Sequence, residues 1–139
     1  MKLKIVILVM IISALLISSC SRAQSCTELT IEYRDQVMQS ADKWDSANAL
    51  ANSSPRMQLV TPISSLQNIR NEYNNLIVPE CAQKAHADML DYMDATIDGY
   101  MAFLSEEDDD IVKGHLTRAD QYFAAWKIEF DKLSAEPTP

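Results

Sequence analysis

Four stretches of the chain repeat apolar residues at steps of three and four, the spacing that gathers side chains on one face of a helix. The first covers residues 27–51 and the third covers residues 80–104. The fourth covers residues 109–133, and its apolar positions are Val112, Leu116, Ala119, Phe123, Trp126, Phe130 and Leu133. The strict alternation of steps makes this last stripe a heptad seam, which needs neighbouring helices to cover it.

The second stripe has a start that two prolines leave open. In one alternative Ser54 caps the helix, Pro55 occupies the first turn and Pro62 kinks the helix. In the other, Thr61 caps the helix and Pro62 occupies the first turn. Because Leu59 belongs to the periodic stripe, we favour the longer, kinked helix.

The third stripe predicts which side of its helix is buried. The expected buried residues are Ala82, Ala85, Met89, Met93, Thr96, Tyr100 and Phe103, and those expected to face solvent are Lys84, Asp88, Asp91 and Asp98. The chain has only two glycines and no alternating strand pattern. We therefore predict an all-α fold: an antiparallel up-down-up-down four-helix bundle over residues 27–134, followed by a disordered tail at 135–139.

A short apolar run at residues 5–17 precedes the helices and follows Lys2 and Lys4. Spanning a membrane takes about 20 apolar residues, so the run has the layout of a signal peptide instead. It ends in Leu-Leu-Ile-Ser-Ser-Cys at residues 15–20, which resembles the lipobox of small bacterial lipoproteins. The resemblance covers residues 1–20 alone, and the mature domain resembles only uncharacterised helical lipoproteins.

The lipoprotein resemblance implies that residues 1–19 are removed and that Cys20 carries the lipid that anchors the protein to a bacterial membrane. Residues 20–26 would then be a short tether. Because the residue directly after Cys20 is Ser21 and not an acidic residue, the resemblance implies the outer membrane where the organism has one. The alternative is ordinary cleavage after Ala23, which would release a soluble protein beginning at Gln24.

Charge and cysteines narrow the possible partners. Lys2 and Lys4 leave with the signal peptide, so 10 basic residues remain against 20 acidic ones, a formal net charge of −10. This charge argues against a nucleic-acid partner. In an exported chain, the remaining pair Cys26 and Cys81 predicts a disulfide, because the alternating topology puts both at the same end of the bundle. Closing that loop would stabilise the fold by about 4 kcal/mol.

Candidate chemistry is sparse. His86, Met89 and Met93 share one helix face and could hold Cu(I), although methionines on a buried stripe are usually core residues and we expect no metal site. His115 is expected near the other end of the bundle. The acidic run at residues 106–110 lacks the order of a calcium loop and fits helix capping. No catalytic or cofactor motif is present, and we expect no enzyme and no cofactor.

We therefore expect a lipid-anchored, extracytoplasmic protein with a structural or protein-binding role, whose partner is another protein of the cell envelope. If they are exposed, Tyr92 and Tyr122 are the best candidates for partner contact, because both lie beside their apolar stripes. The alternative is a carrier or sensor of a small ligand or soft metal ion. In the favoured bundle, the Cys26 and Cys81 end faces the membrane and the acidic run lies at the far end.

Overall fold

Four long helices make up most of the described chain. The computed structural model describes residues 26–134, with side chains described for residues 31–133. The helices are α1 (Cys26–Ser53), α2 (Val60–Asn74), α3 (Gln83–Leu104) and α4 (Asp109–Ser134), with 3-10 turns at Arg56–Gln58 and Glu80–Ala82. No strand occurs between residues 26 and 134, so the predicted all-α fold with four helices is confirmed.

Several predictions concern residues that are not described. The signal peptide (residues 1–19), the lipidation residue Cys20 and the tail (residues 135–139) lie outside the described residues, and so does the side chain of Cys26. Within the described helices, none combines the length and the hydropathy that crossing a membrane requires.

The link between α1 and α2 differs from both sequence alternatives. Serine hydroxyls at the end of α1 take up a terminal carbonyl, since Ser54 Oγ donates to Leu50 O at 2.7 Å. A 3-10 turn follows, and α2 begins at Val60, so the favoured continuous helix kinked at Pro62 is wrong. Pro62 instead lies in the first turn of α2, where a missing N–H leaves no helical hydrogen bond unmade. The cap position is Leu59, which is buried.

Two predicted orientations on α3 are wrong. Asp88 was expected in solvent but is buried, with its carboxylate paired to Lys84 one turn earlier. Phe103 was expected in the core but is 37% exposed, and the guanidinium of Arg56 lies 4.5 Å from its ring centre. Phe103 lies one residue before the end of α3, where its ring meets Arg56 of the α1–α2 link at the surface. Asp88 is buried because α3 packs on more than one side, so its buried face is wider than one stripe. Small residues there, including Gly99, are also buried.

A tight turn joins α3 to α4 and contains backbone strain. Glu106 has φ of 58°, the left-handed conformation that glycine usually supplies after a helix. The Glu107 N–H donates to Ala102 O at 3.0 Å, which closes the end of α3. Asp108 then caps α4, because its Oδ1 accepts the N–H of Asp110 at 2.9 Å. The predicted capping role of the acidic run is therefore confirmed.

The helices share one hydrophobic core in which α3 is central. Its backbone closely approaches α4 and α2, while α1 approaches α2 and reaches α3 through large side chains. The largest fully buried side chains are Trp44, Tyr33, Tyr73, Leu59, Leu66, Met89, Met93 and Val37. Full burial of an apolar side chain of this size contributes about 1.5–3 kcal/mol, so these residues hold the four helices together.

Candidate functional site

The heptad seam of α4 is only partly covered by the other helices. The covered or half-covered positions are Val112, Ala119, Trp126, Phe130 and Leu133. In contrast, Leu116 is 40% exposed and Phe123 is 42% exposed. Because these two residues are seven positions apart, they lie on the same side of α4 and form an apolar strip at the surface.

Contacts with α3 hold both side chains of this strip in place. Leu116 lies directly over Gly99, where an added Cβ would come within 2.8 Å of the leucine Cδ2. The Phe123 ring lies against Tyr92, with 5.2 Å between ring centres, and against Trp126 at 5.3 Å. Each side chain is therefore fixed on its α3 side and open to solvent on the other.

Tyr92 connects the apolar strip to α1. Trp44 Nε1 donates to the Tyr92 hydroxyl at 3.2 Å, and the two rings meet edge to face. Burial raises the pKa of Tyr92, and the charges of Asp45 on α1 and Asp120 on α4 raise it further. Carboxylates from two helices therefore lie near one hydroxyl. Met38, seven residues before Asp45, is exposed on the same side of α1.

We use the term seam surface for the region formed by Met38, Asp45, Leu116, Asp120 and Phe123. Charged residues flank it at regular spacing on α4: Lys113, Asp120 and Lys127 are all exposed and lie seven positions apart. Lys127 Nζ lies 4.0 Å from Asp131 Oδ2, one turn further along the same helix. The seam surface therefore combines an apolar strip with an alternating line of positive and negative charge.

A buried polar cluster joins α1, α2 and α3 elsewhere in the core. The Tyr33 hydroxyl lies 3.0 Å from His86 Nδ1 and 3.2 Å from the Tyr73 hydroxyl. The imidazole of His86 also stacks on the Tyr73 ring, with 4.5 Å between ring centres and 12° between planes. Three polar side chains from three helices thus satisfy one another inside the core.

Burial keeps this cluster neutral. It lowers the pKa of His86, raises that of Tyr73, and raises that of Tyr33 to about 12, the last despite the opposing hydrogen bond with Tyr73. With a neutral imidazole, we assign Tyr33 as the donor to Nδ1 and Tyr73 as the donor to Tyr33. The reverse order would leave the Tyr73 proton without an acceptor among the described contacts.

The structure places the soft-metal candidates in the interior. Met89 and Met93 belong to the buried core, and Nδ1 of His86 bonds to Tyr33. Between residues 26 and 134, no group of three or more histidine, cysteine or acidic side chains is arranged to hold a metal ion. His115 has different neighbours from His86, since its Nδ1 lies 3.0 Å from Arg118 Nη2 and 3.8 Å from Asp98 Oδ2.

The two tyrosines proposed for partner contact differ in exposure. Tyr92 is half-buried under the seam surface, whereas Tyr122 is 36% exposed. Tyr122 lines a shallow polar pocket of about 150 Å³ between α3 and α4. Its other lining residues are Asp91, Asp94, Ala95, Asp98, His115 and Arg118. In this pocket Asp94 is already held by Arg70 through two hydrogen bonds of 2.8 Å.

The cysteines are only partly described. Cys81 lies in the 3-10 turn Glu80–Ala82 and takes part in a disulfide bond. The side chain of its predicted partner, Cys26, lies outside the described side chains, so the pairing stays a prediction. Cys20 lies outside the described residues, and its lipidation stays a prediction as well.

Sequence reasoning missed two features of the site. The exposure of Leu116 and Phe123 could not be predicted, because the heptad pattern is the same at covered and at exposed positions of the seam. The cluster of Tyr33, Tyr73 and His86 had a usable signal, since the predicted alternating topology would bring the start of α1, the end of α2 and the start of α3 to one end. Comparison with protein-family models, curated proteins and solved structures finds no match to this chain, so its function is inferred from the geometry above.

Proposed function

We propose that this protein is a lipid-anchored helical domain that binds another protein of the bacterial cell envelope through the seam surface. The single observation that carries the binding role is the exposure of Leu116 and Phe123 at 40% and 42% on an otherwise covered heptad seam. Leaving two large apolar side chains in water forgoes the burial free energy of both, about 1.5–3 kcal/mol for each on full burial. A partner that covers them recovers part of that free energy.

The arrangement of the helices supports this role. We propose that they run up, down, up and down in a four-helix bundle. This proposal is supported by contacts that join the early part of one helix to the late part of its neighbour: Tyr33, early in α1, with Tyr73, late in α2, and Asp98, late in α3, with His115, early in α4. In that arrangement the seam surface lies along the side of the bundle, where an approaching helix can reach it.

Anchoring through Cys20 sets the orientation of the bundle. The tether at residues 20–26 is short, so the end of the bundle that holds Cys26 and Cys81 would face the membrane. The acidic run at residues 106–110 would face away from it. A Cys26–Cys81 disulfide is consistent with the bonded state of Cys81. Alkylation of the native protein without reductant should label neither cysteine, and a labelled Cys26 would refute this pairing.

The anchor has its own test. A radiolabelled fatty-acid precursor should enter the wild-type protein and should not enter a Cys20→Ala variant, because the cysteine sulfur receives the lipid. Incorporation into the variant, or no incorporation into either protein, would refute lipidation at this residue.

Site-specific photo-crosslinking tests the binding role. A photoreactive phenylalanine analogue is placed at Phe123 in the full chain and irradiated in intact cells. A matched control places it at Ile128, which is 58% exposed and lies on another side of α4. We expect a protein adduct of defined mass from position 123 and none from position 128. No adduct at 123, or the same adducts at both positions, would contradict the proposal.

A further inference from the structure

The charges beside the seam surface specify what kind of partner fits it. Leu116 and Phe123 occupy equivalent positions of the heptad, and Lys113, Asp120 and Lys127 all lie one residue after a position of the same seam. In helix pairs, charged residues at this flanking position contact the partner helix and set partner choice and register. The line reads positive, negative, positive at intervals of seven residues.

We propose that the seam surface binds one amphipathic helix whose flank carries acidic, basic and acidic side chains seven residues apart. Its apolar face covers Leu116 and Phe123, and its charges meet those of Lys113, Asp120 and Lys127. Each exposed ion pair adds little affinity by itself, but three in line disfavour a shifted register, which would set like charges against each other. This inference rests on the proposed protein-binding function and identifies the chemistry of the partner.

A second copy of this chain fits the same surface less well. To cover both Leu116 and Phe123 with its own apolar strip, the copy must align antiparallel about Asp120, which sets Asp120 against Asp120 and Lys113 against Lys127. That alignment places like charges opposite each other beside the apolar strip, which is unfavourable. A copy shifted along α4 so that Asp120 meets Lys127 brings the two Phe123 side chains together and leaves Leu116 outside the paired strips. The charge pattern therefore favours a different chain with the complementary order.

The α1 side of the surface is suited to a docked helix as well. Met38 is 47% exposed, and a flexible methionine adapts to the shape of an incoming apolar side chain. Asp45 adds a negative charge near Tyr92, on the side opposite Asp120. A basic side chain at the centre of the partner flank can therefore meet two carboxylates, those of Asp45 on α1 and Asp120 on α4.

Two synthetic helical peptides test this inference against the full chain. Both carry leucine at the seam positions; one has the flank order Glu, Lys, Glu and the other Lys, Glu, Lys, with net charge equalised on the far face. The patterns read the same in both directions, so the orientation of the partner does not matter. By fluorescence anisotropy at low salt, we expect the Glu-Lys-Glu peptide to bind about tenfold more tightly, a difference that shrinks as salt screens the charges.

Protein variants complete the test. The triple variant Lys113→Glu, Asp120→Lys, Lys127→Glu should invert the preference between the peptides. Phe123→Glu should weaken both peptides at least tenfold, and Ile128→Glu, the matched control, should change neither. Equal affinities, a preference that the triple variant does not invert, binding of neither peptide, or self-association that depends on Phe123 would each overturn the inference. If any of these results is found together with a crosslinked adduct at position 123, the proposed protein-binding function is still supported. Only the inferred chemistry of the partner helix is then refuted.

Discussion

Removing the Tyr73 hydroxyl from the buried cluster should lower the free energy of unfolding of the wild-type protein and raise that of a Tyr33→Phe variant. Tyr33 is the middle member: it donates to His86 Nδ1 at 3.0 Å and accepts from Tyr73 at 3.2 Å. Tyr73→Phe deletes one hydrogen bond and leaves no buried group without a partner, so we expect it to cost about 1 kcal/mol of unfolding free energy. Tyr33→Phe strands both the Tyr73 hydroxyl and the imidazole nitrogen, and we expect a cost of about 2–4 kcal/mol.

The double variant distinguishes this connectivity from simple loss of contacts. In a Tyr33→Phe background, adding Tyr73→Phe removes a stranded hydroxyl, so it should restore about 1 kcal/mol where it removed about 1 kcal/mol before. The coupling of about 2 kcal/mol is well above the few tenths by which independent substitutions deviate from additivity.

Urea unfolding followed by circular dichroism measures the four proteins of this cycle. The dependence on urea should stay the same, which shows that the free energy has changed and the extent of unfolding has not. Tyr122→Phe is the matched control, since its ring is partly exposed and outside the cluster, and it should change the free energy by less than about 0.5 kcal/mol. If Tyr73→Phe costs the same in both backgrounds, the assigned chain of donors is wrong.

Three further predictions concern stability. In thermal unfolding, Gly114→Ala should raise the melting temperature by about 4 °C, because a Cβ at this position meets nothing within 4 Å. Gly99→Ala should raise the melting temperature clearly less, because its Cβ would lie 2.8 Å from a methyl of Leu116. Equal increases would contradict the close packing at Gly99. Glu106→Gly should stabilise the protein by roughly 0.5–1 kcal/mol in urea unfolding, since relief of the left-handed backbone outweighs an exposed ion pair with Arg56, whereas Glu106→Gln, which keeps the strain, should not stabilise it. Burial lowers the pKa of His86, so as the pH falls the unfolded chain takes up the proton before the folded protein does. The free energy of unfolding should therefore be highest above about pH 6.5 and decrease below it. His86→Asn should weaken this decrease, and parallel curves of unfolding free energy against pH for the two proteins would refute the expectation.

The helical segments were readable from the sequence because their signal is local. Apolar residues at steps of three and four mark one helix face, and α4 extends from Asp109 to Ser134 where the stripe predicts residues 109–133. The cap of α4 was readable for the same reason, since Asp108 lies two residues from the N–H that it accepts. The start of α2 was not, because both Pro55 and Pro62 are compatible with a first helical turn.

The candidate site was less accessible to prediction. The heptad pattern treats Leu116 and Phe123 like Trp126, yet the structure covers Trp126 and leaves the other two about 40% exposed. Exposure depends on where α1 and α3 lie relative to α4, and no spacing along α4 contains that information. Asp88 is a second case, since its burial follows from the packing of α3 on more than one side.

The sequence by itself determined the number of helices, their approximate ends except the start of α2, and the residues able to face a core, because each of these depends on interactions within a few positions of the chain. The tertiary structure alone decided which seam residues stay uncovered and which buried hydroxyls find partners. Tyr33 bonds to residues 40 and 53 positions away, so that network exists only once three helices have packed. The seam surface also exists only in the packed protein, because the other helices cover Trp126 and Phe130 of the α4 seam and leave Leu116 and Phe123 partly exposed.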